Sequence, residues 1–130
     1  MKTLLLAASS LACLLTATPV LAKDTACMIE GSFNLMGQTI KSRDCMQADP
    51  AENEASFKSS CEQLASTSAA MGGSAGKVSY MEQCVTPAQG ICHGLAGSKR
   101  DAYYYERSAE DLAGLPASCA QLGGRWSSGR

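Results

Sequence analysis

Apolar and β-branched residues recur among polar ones from Met28 to Met46, on both sides of Met36-Gly37. Runs that contain such residues are typical of strands, and a short glycine-containing break between two runs is typical of a hairpin turn. We therefore expect a β-hairpin in this region, with its turn at Met36-Gly37.

A helix is predicted directly after this hairpin. Asp49-Pro50-Ala51-Glu52 offers a capping side chain, a proline at the first helical position and a glutamate that completes a capping box. Phe57, Cys61 and Leu64 follow at helical spacing. We expect these three side chains to point inward from one face of the helix.

The second half of the chain repeats this order with weaker signals. The runs 78–85 and 101–105 have the β-propensity of strands, with glycine-rich turns between them. Ser108 can cap a helix, which Pro116 should kink or split. A glycine pair typical of a helix end follows the helix's apolar stripe, which consists of Leu112, Leu115, Cys119 and Leu122.

Two segments of similar sequence indicate an internal repeat. Ser60-Cys61-Glu62-Gln63-Leu64 in the first predicted helix is answered by Ser118-Cys119-Ala120-Gln121-Leu122 in the second. We divide the chain into repeats at about 27–66 and 78–126, joined by a flexible Ser/Gly/Ala-rich linker at 67–77. The predicted fold class is α+β. In it, two ββα repeats form a four-stranded antiparallel sheet, both helices cover one face, and disulfides staple the structure.

Residues 1–22 are predicted to be a signal peptide. A single lysine precedes an apolar stretch, and Val20-Leu21-Ala22 has the small residues of a cleavage site. The apolar stretch is too short for a membrane span. A lipid anchor at Cys13 is the disfavoured alternative, because Ser10 stands where a lipoprotein signal needs an aliphatic residue. We expect export to the periplasm or secretion, which leaves residues 23–130 as a single small domain.

The charge balance argues against two classes of partner. The chain has 11 basic and 12 acidic residues, and they are interspersed rather than clustered. A nucleic-acid-binding face and a polybasic membrane patch both need clustered lysines and arginines. We therefore expect no nucleic acid and no membrane span, and take an unidentified protein as the partner.

Of the 7 cysteines, all but Cys13 follow the leader, and they are predicted to form three disulfides. Export favours disulfides over zinc, and the sequence has one histidine and no Cys-x-x-Cys pair, so no metal or other cofactor is expected. If the recurring cysteines have the same structural role in each repeat, they form a disulfide between the first strand and the helix of that repeat. The predicted pairs are then Cys27–Cys61, Cys84–Cys119 and Cys45–Cys92, against a local alternative that contains Cys27–Cys45 and Cys84–Cys92.

Three side chains are candidates for hydrolytic chemistry. Ser74 lies in the run 72–76, which matches the G-x-S-x-G nucleophile pattern, and with Lys77 it also matches S-x-x-K. Neither match has the flanking strand, helix and large sheet that such nucleophiles need, so a linker is the preferred interpretation. His93 is the one side chain expected to titrate near neutral pH, and a loop position beside Cys92 is expected for it.

Tyr103-Tyr104-Tyr105 is the stretch most typical of an interaction surface. In a strand, Tyr103 and Tyr105 share one face and Tyr104 takes the other. These tyrosines and His93 are the candidate contact residues, and no residue is assigned a catalytic role. The functional hypothesis is a small, exported, disulfide-stabilised, non-catalytic binding protein, in one version an inhibitor or neutraliser of its protein partner. The alternatives are the hydrolase outlined above and a purely structural envelope protein.

Overall fold

The computed structural model describes residues 17–19, 21–70 and 72–129. The predicted signal peptide at 1–22 and the alternative lipid anchor at Cys13 lie largely or wholly outside the described residues. The described elements are, in chain order, β1 (Ala26–Leu35), β2 (Gln38–Gln47), α1 (Glu54–Ala70), β3 (Lys77–Met81), β4 (Gly90–His93), β5 (Asp101–Tyr104), α2 (Ala109–Gln121) and β6 (Arg125–Ser128). A single 3₁₀ turn (Leu95–Gly97) connects β4 to β5.

The strands form one antiparallel sheet in the order β3-β1-β2-β5-β4-β6. The α+β class is confirmed, but the predicted four-stranded sheet is wrong, because β4 and β6 add two strands that the sequence pattern did not indicate. The predicted ββα repeats are not confirmed. The structure instead contains the order strand, strand, helix, strand two times. β3 pairs with β1 and belongs to the first half of the molecule, whereas the sequence predicts it as the first strand of the second repeat.

The β1–β2 hairpin is confirmed, with its turn at Met36-Gly37. Both turn residues have positive φ, 51° for Met36 and 80° for Gly37. Positive φ at both central positions is the backbone of a type I′ turn, whose twist matches that of the flanking strands. On the paired strands, Arg43 Nε donates to Glu30 Oε1 across 2.9 Å.

The register of the strands assigns each side chain to one of two faces. Cys27, Met46, Ala102 and Cys92 are successive cross-strand partners on β1, β2, β5 and β4, so they share one face. Cys27 and Cys92 are each bonded to a helix cysteine, so both helices lie over this helix face. Loop 82–89 crosses the other face, which we call the loop face, and is bonded there through Cys84.

The described residues contain three disulfides, and one of the three predicted pairs is confirmed. Cys27–Cys61 ties β1 to α1 as predicted. The predicted pairs Cys84–Cys119 and Cys45–Cys92 are wrong, as are both pairs of the local alternative. The observed bonds are Cys45–Cys84, from β2 to loop 82–89, and Cys92–Cys119, from β4 to α2.

Helix α1 begins four residues later than the capping pattern predicted. Asp49 Oδ1 accepts from the Ala51 amide at 2.8 Å and closes a turn rather than a helix end. Asn53 caps the helix instead, since its Oδ1 accepts from the Ser56 amide at 3.0 Å. At its other end α1 continues to Ala70, so the first part of the predicted linker 67–77 is helical.

Two of the three predicted inward positions of α1 are confirmed, and the third is wrong. Phe57, Cys61 and Ala65 are buried against the sheet. Leu64, which was expected to point inward, keeps 44% of its surface exposed. The helix therefore turns Phe57 and Cys61 into the core and leaves Leu64 at the side of the contact.

Helix α2 begins at the predicted cap and is held by little more than its disulfide. Ser108 Oγ accepts from the Asp111 amide at 3.1 Å, as predicted. Pro116 lies inside a continuous helix, so the predicted kink or split is wrong. In α2, whose residues all belong to the described part of the chain, Cys119 is the only buried side chain. The predicted apolar stripe thus contributes one fully buried position.

Candidate functional site

The three tyrosines divide between the two faces of the sheet as strand alternation predicts. Tyr104 lies on the helix face, where its ring packs against Trp126 with a centroid distance of 5.8 Å. Tyr103 and Tyr105 pack on the loop face against the cluster around Met28 and Cys45. All three are half-buried, and burial raises the pKa of each hydroxyl above its usual value.

Tyr105 and Tyr103 hold loop 82–89 against the sheet. The Tyr105 hydroxyl donates to the Val85 carbonyl at 2.6 Å, and the Arg43 guanidinium lies 5.2 Å from the Tyr105 ring centroid. Tyr103 lines a cavity of about 390 Å³ between this loop and the chain around Thr25 and Gln47. These contacts give both tyrosines a packing role. A partner-binding role for them stays a prediction.

His93 is at the end of β4, with both ring nitrogens in contact with side chains of neighbouring strands. Nδ1 lies 3.2 Å from Asp101 Oδ2 on β5, and Nε2 lies 2.9 Å from Ser127 Oγ on β6. The second carboxylate oxygen of Asp101 accepts from the Gly94 amide at 3.1 Å. The expected exposed loop position of His93 is therefore wrong, because the residue is half-buried in a strand.

Ser74 and Lys77 are not brought to His93. Ser74 is exposed in the turn before β3, and Lys77 is the exposed first residue of that edge strand. In the sheet, β3 and β4 are separated by four strand spacings, or about 19 Å. Ser74 and Lys77 therefore cannot share a reaction centre with His93.

An apolar groove runs between α1 and α2 on the helix face, and we call it the interhelix groove. Its floor consists of Met46 on β2 with Ala102 and Tyr104 on β5. Its walls are Leu64 of α1, Leu122 at the end of α2 and the Leu95 turn, around a volume of about 220 Å³. Leu64 and Leu122 are 44% and 53% exposed, so apolar surface lines an open groove.

The groove extends along α1 toward the β1–β2 hairpin. A second cavity of about 290 Å³ shares Asp44 and Leu64 with the first and reaches Phe33 and Thr67. The two cavities together give an elongated site rather than a closed pocket. Such a shape suits a run of side chains from another chain better than one compact ligand.

Two ion pairs that cross between the halves of the molecule flank the groove. Arg100, the residue before β5, donates through Nε to both carboxylate oxygens of Glu52, at 3.0 and 3.1 Å, and these contacts lower the pKa of Glu52. Arg107, before α2, pairs with Asp44 of β2. Burial raises the pKa of Asp44 despite the opposing charge of Arg107.

Sequence reasoning named His93 and Leu64 but missed their surroundings. Ser127 and Asp101 reach His93 through strand register, which local sequence does not reveal. The groove did have a signal: Leu64 and Leu122 each stand three residues after the helix cysteine of the similar segments. Helical spacing predicts core packing for both leucines, whereas in the structure both line the groove.

Fold and groove together define the protein as a small, disulfide-rich α+β protein with an open apolar groove. Comparison with protein-family models, curated proteins and solved structures finds no match to this chain. Among the residues 17–19, 21–70 and 72–129, no three or more His, Cys, Asp and Glu side chains cluster as metal ligands would. None of the helices within that described part is long and apolar enough to cross a membrane.

Proposed function

We propose that this protein is an exported binding protein whose interhelix groove binds a protein partner without catalysing a reaction on it. The observation that carries the proposal is the pair of exposed leucines, Leu64 and Leu122, on opposite walls of one groove. Large apolar side chains are stabilised when a partner removes them from water, by about 25 cal/mol for each Å² that becomes buried. A groove that keeps two leucines exposed therefore favours an apolar partner.

The disulfides preorganise this groove. Cys27–Cys61 fixes α1 one turn before Leu64, and Cys92–Cys119 fixes α2 one turn before Leu122. Since binding costs the entropy of ordering flexible parts, walls that are already held in place increase affinity. The covalent bonds thus support binding as well as stability.

The floor of the groove has the composition of a protein interface. Met46 is flexible and polarisable and adapts to different partners, while Tyr104 offers a large ring held by Trp126 and by Arg107, 5.3 Å from its centroid. The nearby charges are already paired, in Glu52–Arg100 and Asp44–Arg107. We infer that the partner inserts apolar side chains into the groove and that this partner is a protein inhibited or neutralised by the binding.

The proposed location is the periplasm or the extracellular space, reached through a signal peptide at 1–22. Three disulfides are consistent with an oxidising compartment of this kind. The hydrolase alternative built on Ser74 and Lys77 loses support because both lie at the far edge of the sheet from His93.

Quantitative affinity capture tests this proposal. The oxidised chain 23–130 serves as bait for a periplasmic or culture-fluid extract, beside the double variant Leu64→Asp/Leu122→Asp. Val85→Asp is the matched control, because Val85 is 50% exposed but belongs to loop 82–89 on the opposite face. Circular dichroism checks that all three baits are folded.

We expect the wild type and Val85→Asp to capture the same protein at equal stoichiometry, and the double variant to lose at least about 90% of it. That loss corresponds to about 1.4 kcal/mol or more of binding free energy. Equal capture by the double variant would place binding elsewhere on the surface. A wild-type bait that recovers no stoichiometric protein would contradict the proposal as a whole.

A further inference from the structure

Three neighbouring strands bring together a serine, a histidine and an aspartate at one end of the loop face. His93 of β4 pairs with Arg125 of β6, and Asp101 of β5 lies beside it, one position past the Cys92–Ala102 pair. Ser127 is two residues after Arg125 and therefore reaches His93 diagonally, on the same face. The sheet register alone thus assembles the three side chains.

The hydrogen bonds of this cluster follow the order of a Ser-His-Asp triad. Asp101 Oδ2 lies 3.2 Å from Nδ1, an arrangement that favours the tautomer of His93 with its proton on Nδ1. Nε2 is then free to accept from the Ser127 hydroxyl, 2.9 Å away. The Gly94 amide donates to Asp101 Oδ1 at 3.1 Å and fixes the carboxylate. Nucleophile, base and orienting acid each have the required neighbour.

We propose that Ser127, His93 and Asp101 form an acyl-transfer site that hydrolyses small esters of apolar acids. It is a second site, on the face opposite the interhelix groove, and it does not depend on the binding function proposed above. Ser127 and His93 would be the catalytic residues, and Asp101 a positioning residue that acts through His93.

The chemistry needs no reactant beyond the ester and water. Ser127 Oγ bonds to the ester carbonyl carbon while its proton passes to His93 Nε2. The carbon–oxygen bond to the alcohol then breaks, and the alcohol leaves with that proton. Water attacks the acyl-serine in the same way, giving its proton to His93, and Ser127 is regenerated as the carboxylic acid departs.

The surroundings of Ser127 define the substrate class. Ile91 is its direct partner on β4, and Tyr103 is the partner of Ile91 on β5, so an apolar strip lies beside the nucleophile. Arg125, two residues before Ser127 on the same face, is exposed and would supply the positive charge for the developing oxyanion. An apolar acyl chain on the strip and a carbonyl oxygen toward Arg125 fit this arrangement.

The test uses the oxidised chain 23–130, an activated fluorophosphonate as covalent probe and 4-nitrophenyl butyrate as substrate. Ser128→Ala is the matched control, since Ser128 is the next residue of β6 and points to the other face. Ser74→Ala controls for the serine that the sequence pattern singled out. Near-ultraviolet circular dichroism and a non-reducing peptide map show that each variant retains its fold and disulfides.

We expect peptide mapping to find the phosphonyl group on Ser127, and labelling and hydrolysis to be lost in Ser127→Ala while both controls react at the wild-type rate. Asp101→Asn should lower the labelling rate about tenfold or more without removing the fold, and should change its pH profile, which a structural role would not. An unlabelled Ser127, with hydrolysis equal in wild type and Ser127→Ala, would overturn the proposal. Partner capture should be the same for wild type and Ser127→Ala, so the two proposals can fail independently.

Discussion

The two halves of the molecule, β1-β2-α1-β3 and β4-β5-α2-β6, attach their helices to the sheet in different ways. Each has one disulfide from its first strand to its helix. In the first half, α1 also buries Phe57 and Ala65, whereas in the second half α2 buries Cys119. The comparison teaches that one covalent bond can take the place of an apolar helix face when a small chain has few large side chains.

The largest expected effect is a difference in stability between a substitution in the buried face of α1 and one in α2. Phe57→Ala removes the largest fully buried side chain and should lower the free energy of unfolding by about 3–5 kcal/mol. Leu115→Ala, at a half-buried position of α2, should cost less than about 1.5 kcal/mol. Urea denaturation of both variants measures the difference. Similar losses would show that α2 has a core face comparable to that of α1.

Removing each strand-to-helix disulfide should sharpen the same contrast. The bonds span 34 residues for Cys27–Cys61 and 27 for Cys92–Cys119, so the loss of chain-entropy stabilisation should be about 3–4 kcal/mol for either double alanine variant. The pattern of local opening should differ. Without its disulfide α2 should lose amide protection along its length, while α1 keeps protection near Phe57.

Hydrogen exchange followed by mass spectrometry resolves the two helices in each variant. The Cys45→Ala/Cys84→Ala variant serves as the control, because that bond holds loop 82–89 on the loop face and touches neither helix. Retained protection of α2 after loss of Cys92–Cys119 would contradict the view that the disulfide is its main attachment.

The glycines that follow the two helices offer a smaller test. A Cβ on Gly124, before β6, would lie 2.5 Å from Cys92 Sγ and 2.9 Å from Cys119 Sγ. Those sulfurs are bonded to each other and cannot move aside, so Gly124→Ala should cost about 1–3 kcal/mol. A Cβ on Gly76, before β3, would meet Ile29 Cγ2 at 3.1 Å, and Gly76→Ala should cost less than about 1 kcal/mol. Thermal unfolding compares the midpoints of the two variants. Equal midpoints would contradict tight packing around Cys92–Cys119.

Local sequence patterns predicted the parts of the fold that local interactions determine. The hairpin turn at Met36-Gly37, the tyrosine strand and the Ser108 cap were found because turn conformation, β-propensity and capping act over a few residues. β4 and β6 were missed because each has only four residues and no clear alternation. Their strand conformation depends on pairing between distant segments, of β6 with β4 and of β4 with β5.

The disulfide pairing was mispredicted because the two halves differ in length. Equal spacing along the chain made Cys84 the counterpart of Cys27, but the structure places Cys92 on the corresponding strand. The hairpin strands of the first half have 10 residues each and those of the second have 4, so spacing does not reveal structural equivalence. The contacts of His93 could not be predicted for a related reason, since they depend on the register of three strands.

The smallest predicted effect concerns the two ion pairs that join the halves. The pKa of Glu52 is lowered by its hydrogen bonds to Arg100. Ionised Glu52 therefore stabilises the folded state at neutral pH, and this stabilisation is lost as the pH falls through the pKa of the folded state. The pKa of Asp44 is raised by burial. The contribution of Asp44 to the stability of the folded state is therefore greatest in acid, and it is lost as the pH rises through the pKa of the folded state. The two pairs should therefore respond to acid with opposite signs.

Glu52→Gln should lower the free energy of unfolding by about 1 kcal/mol at pH 7, and the difference from wild type should be smaller at about pH 3.5. Asp44→Asn should change stability less at pH 7, because removing the ionised carboxylate also removes its desolvation cost, and its deficit should grow as the pH falls. Urea denaturation at both pH values measures the two slopes, with Glu110→Gln on the exposed first turn of α2 as the control. Parallel slopes for the two variants would show that the carboxylates occupy equivalent environments. The contrast would then lie in the attachment of the helices alone and not in the contacts between the halves.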